Sequence, residues 1–186
     1  LLSLNFNSYT DKVENGRTKN TLSRSGYHTW KVKYFVDTFG DPTTEEYITN
    51  DPKIWGKFSN SATTNSKLKV EFIIELDQIA IVLWEYGSHK VKALSYDYPT
   101  NYYILIKHNG VSIDTKFRGE NRSDRMILAP RPRVGSYSEP IVFLEYLKIG
   151  GQLKVAIHEI GGVSSSYNFE LNTKELDLAT ALSKLE

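Results

Sequence analysis

The sequence predicts a mainly β fold, an antiparallel β-sandwich carrying two short helices. Three observations point there. The longest apolar stretch, KLKVEFIIELDQIAIVLWEY at 67–86, has the two-residue period of strands. Further strand-like segments flank it, separated by glycine, asparagine and proline turns. Helical signals are confined to about 139–149 and 173–185.

In the first arm of that stretch Leu68, Val70, Phe72, Ile74 and Leu76 alternate with Lys67, Lys69, Glu71, Ile73 and Glu75. The second arm sets Ile79, Ile81 and Leu83 on one face and Ala80, Val82, Trp84 and Tyr86 on the other, the pattern of a strand covered on both sides. A two-residue loop at Asp77-Gln78 pairs Leu76 with Ile79, Phe72 with Leu83, Glu71 with Trp84 and Lys69 with Tyr86. Asp-Gln lacks the glycine that favoured hairpin turns use, so a longer turn or a bulge stays open. Trp84 and Tyr86 read as packing residues.

Length and composition bound the rest. A chain of 186 residues, 40% hydrophobic and 24% charged, suits one globular domain at 28–186, preceded by a polar arm over 1–27 that reads as loosely docked. The 23 Lys+Arg against 22 Asp+Glu give a formal charge of +1, which argues against a general attraction to nucleic acid but leaves room for a local patch. With no cysteine in the chain, disulfides, thiolate metal sites and thiol nucleophiles are excluded. No apolar run reaches the length of a transmembrane helix. The opening LLSLNF is too short for a signal-peptide core and lacks a basic flank, and it is compatible with a remnant of processing.

Taken in order, HTWKVKYFV from His28 predicts a half-buried strand with Trp30, Val32, Tyr34 and Val36 on one face. DTFGDPTTEEY then reads as a turn and loop. Its Asp37, Asp41, Glu45 and Glu46 raise a calcium site, yet their spacing does not match an EF-hand loop, and solvated acidic turn residues are the simpler reading. A short strand follows at Ile54 to Phe58, where Gly56 signals a bulge or a close backbone approach. SNSATTNS reads as a connector. Beyond the central pair, Tyr102–His108 and Val111–Phe117 predict a second hairpin around Asn109-Gly110.

Ser138 to Gly151 predicts a helix, with Ser138 as cap, Ile141, Leu144 and Tyr146 or Leu147 as the buried stripe, and Gly150 or Gly151 as the stop. QLKVAIHEI and SSYNFEL form a strand pair around Gly161-Gly162. NTKELDLATALSKLE closes the chain as a helix, with Asn172 and Glu175 at capping-box spacing and Leu178, Leu182 and Leu185 on one face.

Two segments are candidate binding sites. Residues 116–133 hold Lys116, Arg118, Arg122, Arg125, Arg131 and Arg133 against Glu120 and Asp124, and arginine forks suit phosphate, sulfate and carboxylate groups. The competing reading is a solvated charged face. Tyr96 and Tyr98 form a plausible surface pair offering flat area and hydroxyls to a carbohydrate or a protein.

Catalytic signatures are wanting. His28, His89, His108 and His158 lack metal-ligand spacing, and no nucleophile elbow, P-loop or dinucleotide fingerprint occurs. A glycosidase-like convergence of Asp37, Glu71, Glu75 and Glu85 stays open, although solvent-facing strand positions explain them.

An L-x-V-x-F strand after a serine- and threonine-rich connector, then FLEYLKIGGQLKVAI, YNFEL and a closing helix resemble the VasI-like accessory proteins of type VI secretion and related small bacterial envelope proteins. Leu147, Gly151, Leu153, Val155, Tyr167, Phe169 and Leu176 stand at the corresponding places, over roughly 59–185. The resemblance implies a strand-rich sandwich with a helix packed back on the sheet, and a bacterial envelope or secretion setting, with the periplasm favoured over the cytoplasm. Members often carry paired cysteines, which this chain lacks. FGDPTTEEYI also looks like the start of small bacterial and phage-encoded proteins.

The expectation is a non-catalytic interaction or adaptor domain with a protein partner and no cofactor, and an anionic ligand at the arginine-rich segment. The alternatives are a phage-encoded structural or host-inhibiting protein and a carbohydrate-binding or carbohydrate-active one.

Overall fold

The computed structural model describes residues 27–75, 78–93, 99–121, 123, 125–128, 139–161 and 165–185. Strands β1 (Thr29–Val36) and β2 (Pro42–Asp51) form a hairpin, followed by β3 (Ile54–Asn60), β4 (Thr63–Ile74), β5 (Ile79–Glu85) and the short β6 (His89–Lys90). Then come β7 (Thr100–His108), β8 (Val111–Ser112), β9 (Phe117–Asn121), β10 (Met126–Leu128), helix α1 (Glu139–Ile149), β11 (Gly151–Glu159), β12 (Ser166–Thr173) and helix α2 (Asp177–Leu182). Two segments expected to be loops are strands: β2 takes in TTEEY and β4 begins inside SNSATTNS, because each finds a neighbouring edge to bond to. Residues 1–26 of the 1–27 arm, Leu76 and Asp77 of the expected turn, and the Ser138 cap lie outside the described residues.

The expected sandwich is instead a closed antiparallel barrel. Eight strands form the ring β4-β3-β12-β11-β7-β9-β10-β5, and β5 returns to β4. Closure rests on β4, which pairs through Thr63–Val70 with β3 and through Leu68–Ile74 with β5. With both its edges bonded, no sheet edge remains in the ring.

Along its β3 edge, β4 then receives β2 through Ile48↔Ile74 and Thr49↔Ile73. β2 and β3 are thus successive parts of one edge, offset in register at the cis Asp51-Pro52 bond. Asn50 fills the break. It is 1% exposed, its Oδ1 accepts from the Phe72 N–H at 2.7 Å, and its Nδ2 donates to Pro52 O at 3.1 Å. The ladder donor that the offset strands at Phe72 is satisfied by a side chain.

The central hairpin has the expected faces and a shifted register. Ile74 pairs with Ile79, Phe72 with Ile81 and Val70 with Leu83, so the loop spans Glu75 to Gln78. A two-residue shift keeps Leu68, Val70, Phe72 and Ile74 inward while changing the cross-strand partner of each. Glu75 N–H donates to Gln78 O at 2.9 Å across that longer loop. Gly56 holds no bulge; a Cβ there would sit 2.2 Å from the Asn168 carbonyl oxygen, so β3 and β12 approach too closely for any side chain.

An eight-stranded barrel is filled by its own side chains. Phe58, Leu68, Phe72, Ile81, Ile104, Phe117 and Ile157 are all fully buried in one continuous core. Helix α1 adds Phe143, also fully buried, between Phe72 (ring centroids 6.3 Å apart) and Phe117 (5.3 Å). The buried stripe of α1 therefore centres on Phe143 and Leu147, with Leu144 and Tyr146 at its margin.

The closing helix is shorter than expected. Asn172 belongs to β12, and the helix starts after Leu176, whose φ of 63° sets a left-handed N-cap without a side-chain bond. The capping box does not form, because the Asn172 N–H and carbonyl are already taken by His28. Leu178 is nonetheless buried, and Leu182 and Leu185 pack on the core.

Phe143→Ala removes an aromatic ring from a closed core, and urea unfolding should show a loss of about 3–5 kcal/mol. A loss below about 1 kcal/mol would mean that α1 does not plug the barrel.

Candidate functional site

The register that fills the barrel also arranges its outer surface. Trp55 on β3 pairs with Lys69 on β4, Lys69 with Trp84 on β5, and Trp84 with Lys90 on β6. One row of side chains therefore crosses four strands as tryptophan, lysine, tryptophan, lysine. Neighbouring strands lie about 4.8 Å apart, which puts the two indoles on the order of 10 Å from each other.

The lysines lie against the rings. Lys69 Nζ is 4.5 Å from the Trp84 ring centroid, with Lys53 and Lys90 each at 5.8 Å, and Lys67 Nζ is 4.1 Å from the Trp55 ring. Attraction of each ammonium to an indole face holds flexible lysine stems in place and keeps the charges together. Trp55 remains 50% exposed. Its ring lies over the turn after β5, where a Cβ on Gly87 would come within 3.2 Å of it.

The positive field shows in Lys53. Partial burial, followed by the nearby ammonium groups of Lys33 and Lys69, lowers its pKa from 10.5 to about 8, against the pull of Asp51. Lys53 also meets the Glu71 carboxylate, which in turn accepts from the Thr49 hydroxyl at 3.1 Å.

Beyond Trp55 the surface sinks into a groove of about 790 Å³ over β3, β12, β11 and β7. Its floor includes Asn168, Ala156 and Leu105, and its walls include Trp55, Lys57, Lys107 and Lys154. Glu170 sits at the rim, 3.4 Å from Lys154 Nζ and bonded to the Gln152 amide. A second hollow of about 500 Å³ lies where Gly150 and Gly151 meet Asn172–Glu175, lined largely by short side chains and backbone.

Of the binding residues singled out from the sequence, Arg118 and Arg125 fall among the described residues. Arg118 is exposed at the start of β9, and Arg125 lies before β10 with Nη1 3.6 Å from Glu75 Oε1. Arg122, Arg131, Arg133, Tyr96 and Tyr98 lie outside the described residues. The four carboxylates considered as a catalytic pair do not converge: Glu71 faces outward on β4, Glu75 meets Arg125, Glu85 accepts from the Tyr167 hydroxyl at 3.2 Å, and Asp37 sits at the β1–β2 turn.

Nor is Asp37 simply solvated, since its Oδ1 accepts from the N–H groups of Phe39 and Asp41 at 2.8 and 2.9 Å. Among the described residues no group of three or more His, Asp and Glu side chains is placed to hold a metal ion. His28 bonds to Asn172, His108 donates to the Gly150 carbonyl at 2.7 Å, and His158 stacks on Tyr103.

The outer row was hidden in the sequence by register. With a two-residue turn Lys69 falls opposite Tyr86, whereas the four-residue loop brings it opposite Trp84. Trp84 is half-buried on the outer face, and Tyr86 leaves the strand at φ 53° to pack edge-on against Phe58 at 5.0 Å. Both residues read as packing do pack, Tyr86 on Phe58 while staying half exposed and Trp84 half-buried against the lysines of the outer face. The available signal was Lys67 and Lys69 alternating beside two tryptophans of neighbouring strands.

Comparison with protein-family models, curated proteins and solved structures finds no match to this chain.

If Lys53 stands in this field, its side-chain NMR titration should centre near pH 8, and Lys69→Gln should move it upward by removing a like charge. The unfolded chain binds this proton more tightly, so the group makes stability rise as pH climbs from about 8 towards 10.5. A midpoint that Lys69→Gln leaves unmoved would contradict the positive field, since burial is the larger cause of the lowering and would remain.

Proposed function

We propose that this protein is a non-catalytic binding domain that recognises an anionic partner through its outer tryptophan–lysine face. The observation that carries the reading is the Trp55–Lys69–Trp84–Lys90 row on a chain whose overall formal charge is only +1. A near-neutral protein has no general attraction for polyanions, so positive charge held against the exposed Trp55 and the half-buried Trp84 marks one surface for both charge and apolar contacts. Glu71 meets Lys53 and Glu170 meets Lys154 at the edges of this face.

The anionic ligand expected at the arginine-rich segment is here assigned to a second surface, and Arg118 and Arg125 are the only arginines of that segment among the described residues. The bacterial envelope or secretion setting rests on the VasI-like resemblance and belongs to the proposal on that basis alone. Rigid strands present the face, so binding needs little rearrangement of backbone, and the indole contacts already confine the lysines.

Dextran sulfate provides a probe without regard to partner identity. The wild-type chain should bind it with an affinity that falls steeply as salt rises, and Lys67→Ala/Lys69→Ala should weaken binding about tenfold or more by loss of two charges. Lys148→Ala/Lys184→Ala, an equal charge change at the helices, serves as control. Equal weakening by both pairs would reject this face as the site.

A further inference from the structure

We infer that the tip of the β1–β2 hairpin is a knob that docks into the lysine-walled groove of a second copy of this chain. The inference rests on the anionic-partner reading above and takes that partner to be the chain's own acidic hairpin.

The knob is Phe39, which is 91% exposed, with Val36 and Tyr34 just before it also exposed. The turn that presents it is fixed by its own bonds. Besides accepting from the Phe39 and Asp41 N–H groups through its carboxylate, Asp37 donates its N–H to the Asp41 carbonyl at 2.9 Å and accepts the Gly40 N–H at 3.1 Å. A large apolar ring held outward on an ordered turn has the form of an interface anchor. Its surroundings are acidic. From Tyr34 to Glu46 the chain carries Asp37, Asp41, Glu45 and Glu46 and no lysine, arginine or histidine.

The groove beside Trp55 has the opposite character. Trp55, Leu105, Ile113 and Ala156 give it apolar surface, and its volume of about 790 Å³ leaves room for a phenyl ring and the turn on either side of it. Lys154 is met by Glu170, so the positive charge left over belongs to Lys57 on β3 and Lys107 on β7. Both are exposed, and neither has a carboxylate partner among the described residues.

The match is made between copies and not within one. Ile48 is the outermost β2 residue in register with β4, and Gly40 lies eight residues further out, up to about 26 Å along an extended strand. Ile48 stands opposite Ile74, whereas Gly56 in the groove stands opposite Leu68, in the other direction along β4. A hairpin thus points away from its own groove, and the exposure of Phe39 shows that it does not fold back into it.

Tip and groove are different surfaces, so the contact is head-to-tail. Each bound copy leaves one tip and one groove free, and association continues with concentration instead of stopping at a dimer. A single knob covers less than a standard interface, which makes the contact weak, and opposite charges around it make it sensitive to salt.

The test is sedimentation velocity of the full chain from micromolar to millimolar concentration. The wild-type chain should grow beyond monomer as concentration rises, and less so in high salt. Phe39→Ala spoils the tip and keeps the groove, while Lys57→Glu/Lys107→Glu spoils the groove and keeps the tip. Each should stay monomeric alone, with the urea midpoint of Phe39→Ala unchanged because the ring is exposed in the single copy. An equimolar mixture of the two should form a dimer that grows no further, since only one tip and one groove remain competent.

Association by either variant alone, or a mixture that stays monomeric, overturns the assignment. So does a wild-type chain that is monomeric throughout; if that chain still binds dextran sulfate, the anionic face stands without self-docking. If it neither associates nor binds dextran sulfate, both readings fall.

Discussion

Double pairing of β4 is the constraint from which the remaining structure follows. A twelve-residue strand bonded along one edge to β3 and β2 and along the other to β5 has no free edge over most of its length. Its inward residues Leu68, Val70, Phe72 and Ile74 then face a closed interior rather than a second sheet, and all four are fully buried. Its outward residues Lys67 and Lys69 are brought between the tryptophans of two different strands. Core and candidate site are two faces of the same alternation, so a change that disturbs one registers on the other.

Closure creates a break in pairing that the sequence resolves locally. One barrel strand must leave β4 for β3 to turn into β12, while β2 continues alongside. Asn50 bridges that point with two backbone bonds, and Gly56 allows β3 and β12 to come together. Neither residue contributes a side chain to the outer row, yet Asn50 bridges the break just before β3 and Gly56 lies next to Trp55 on it. A buried polar side chain in such a place is retained because an unmet N–H inside the barrel costs more than the burial of the amide.

Much of the architecture was legible because it depends on period. Alternation in 67–86, the Asn109-Gly110 turn and the Gly150-Gly151 stop all correspond to observed elements, with Asn109 and Gly110 at φ 49° and 85°. What failed depends on partners far away in the chain. β2 and the start of β4 are polar and lack an apolar stripe, and they are strands because neighbouring edges were available. Barrel and sandwich share the same local pattern, central hairpin included, and differ in whether one unbroken run of pairings leads from β3 through β12, β11, β7, β9 and β10 back to β5. The site failed for a similar reason: the faces were right, but a loop two residues longer than the shortest turn changed which side chains are neighbours across the strands. Binding surfaces assembled from cross-strand rows are therefore less legible than the core beneath them.

The most direct measurement is a set of cross-strand nuclear Overhauser contacts from Lys69. Contacts to both Trp55 and Trp84, together with Met126 to Ile81 and Tyr167 to Phe58 across the two flanking pairings, would establish that β4 is paired on its two edges in the register that aligns the row and that the sheet continues from both sides of the hairpin. Contacts to only one tryptophan, or to Tyr86 in place of Trp84, would contradict the closed barrel and the face built on it.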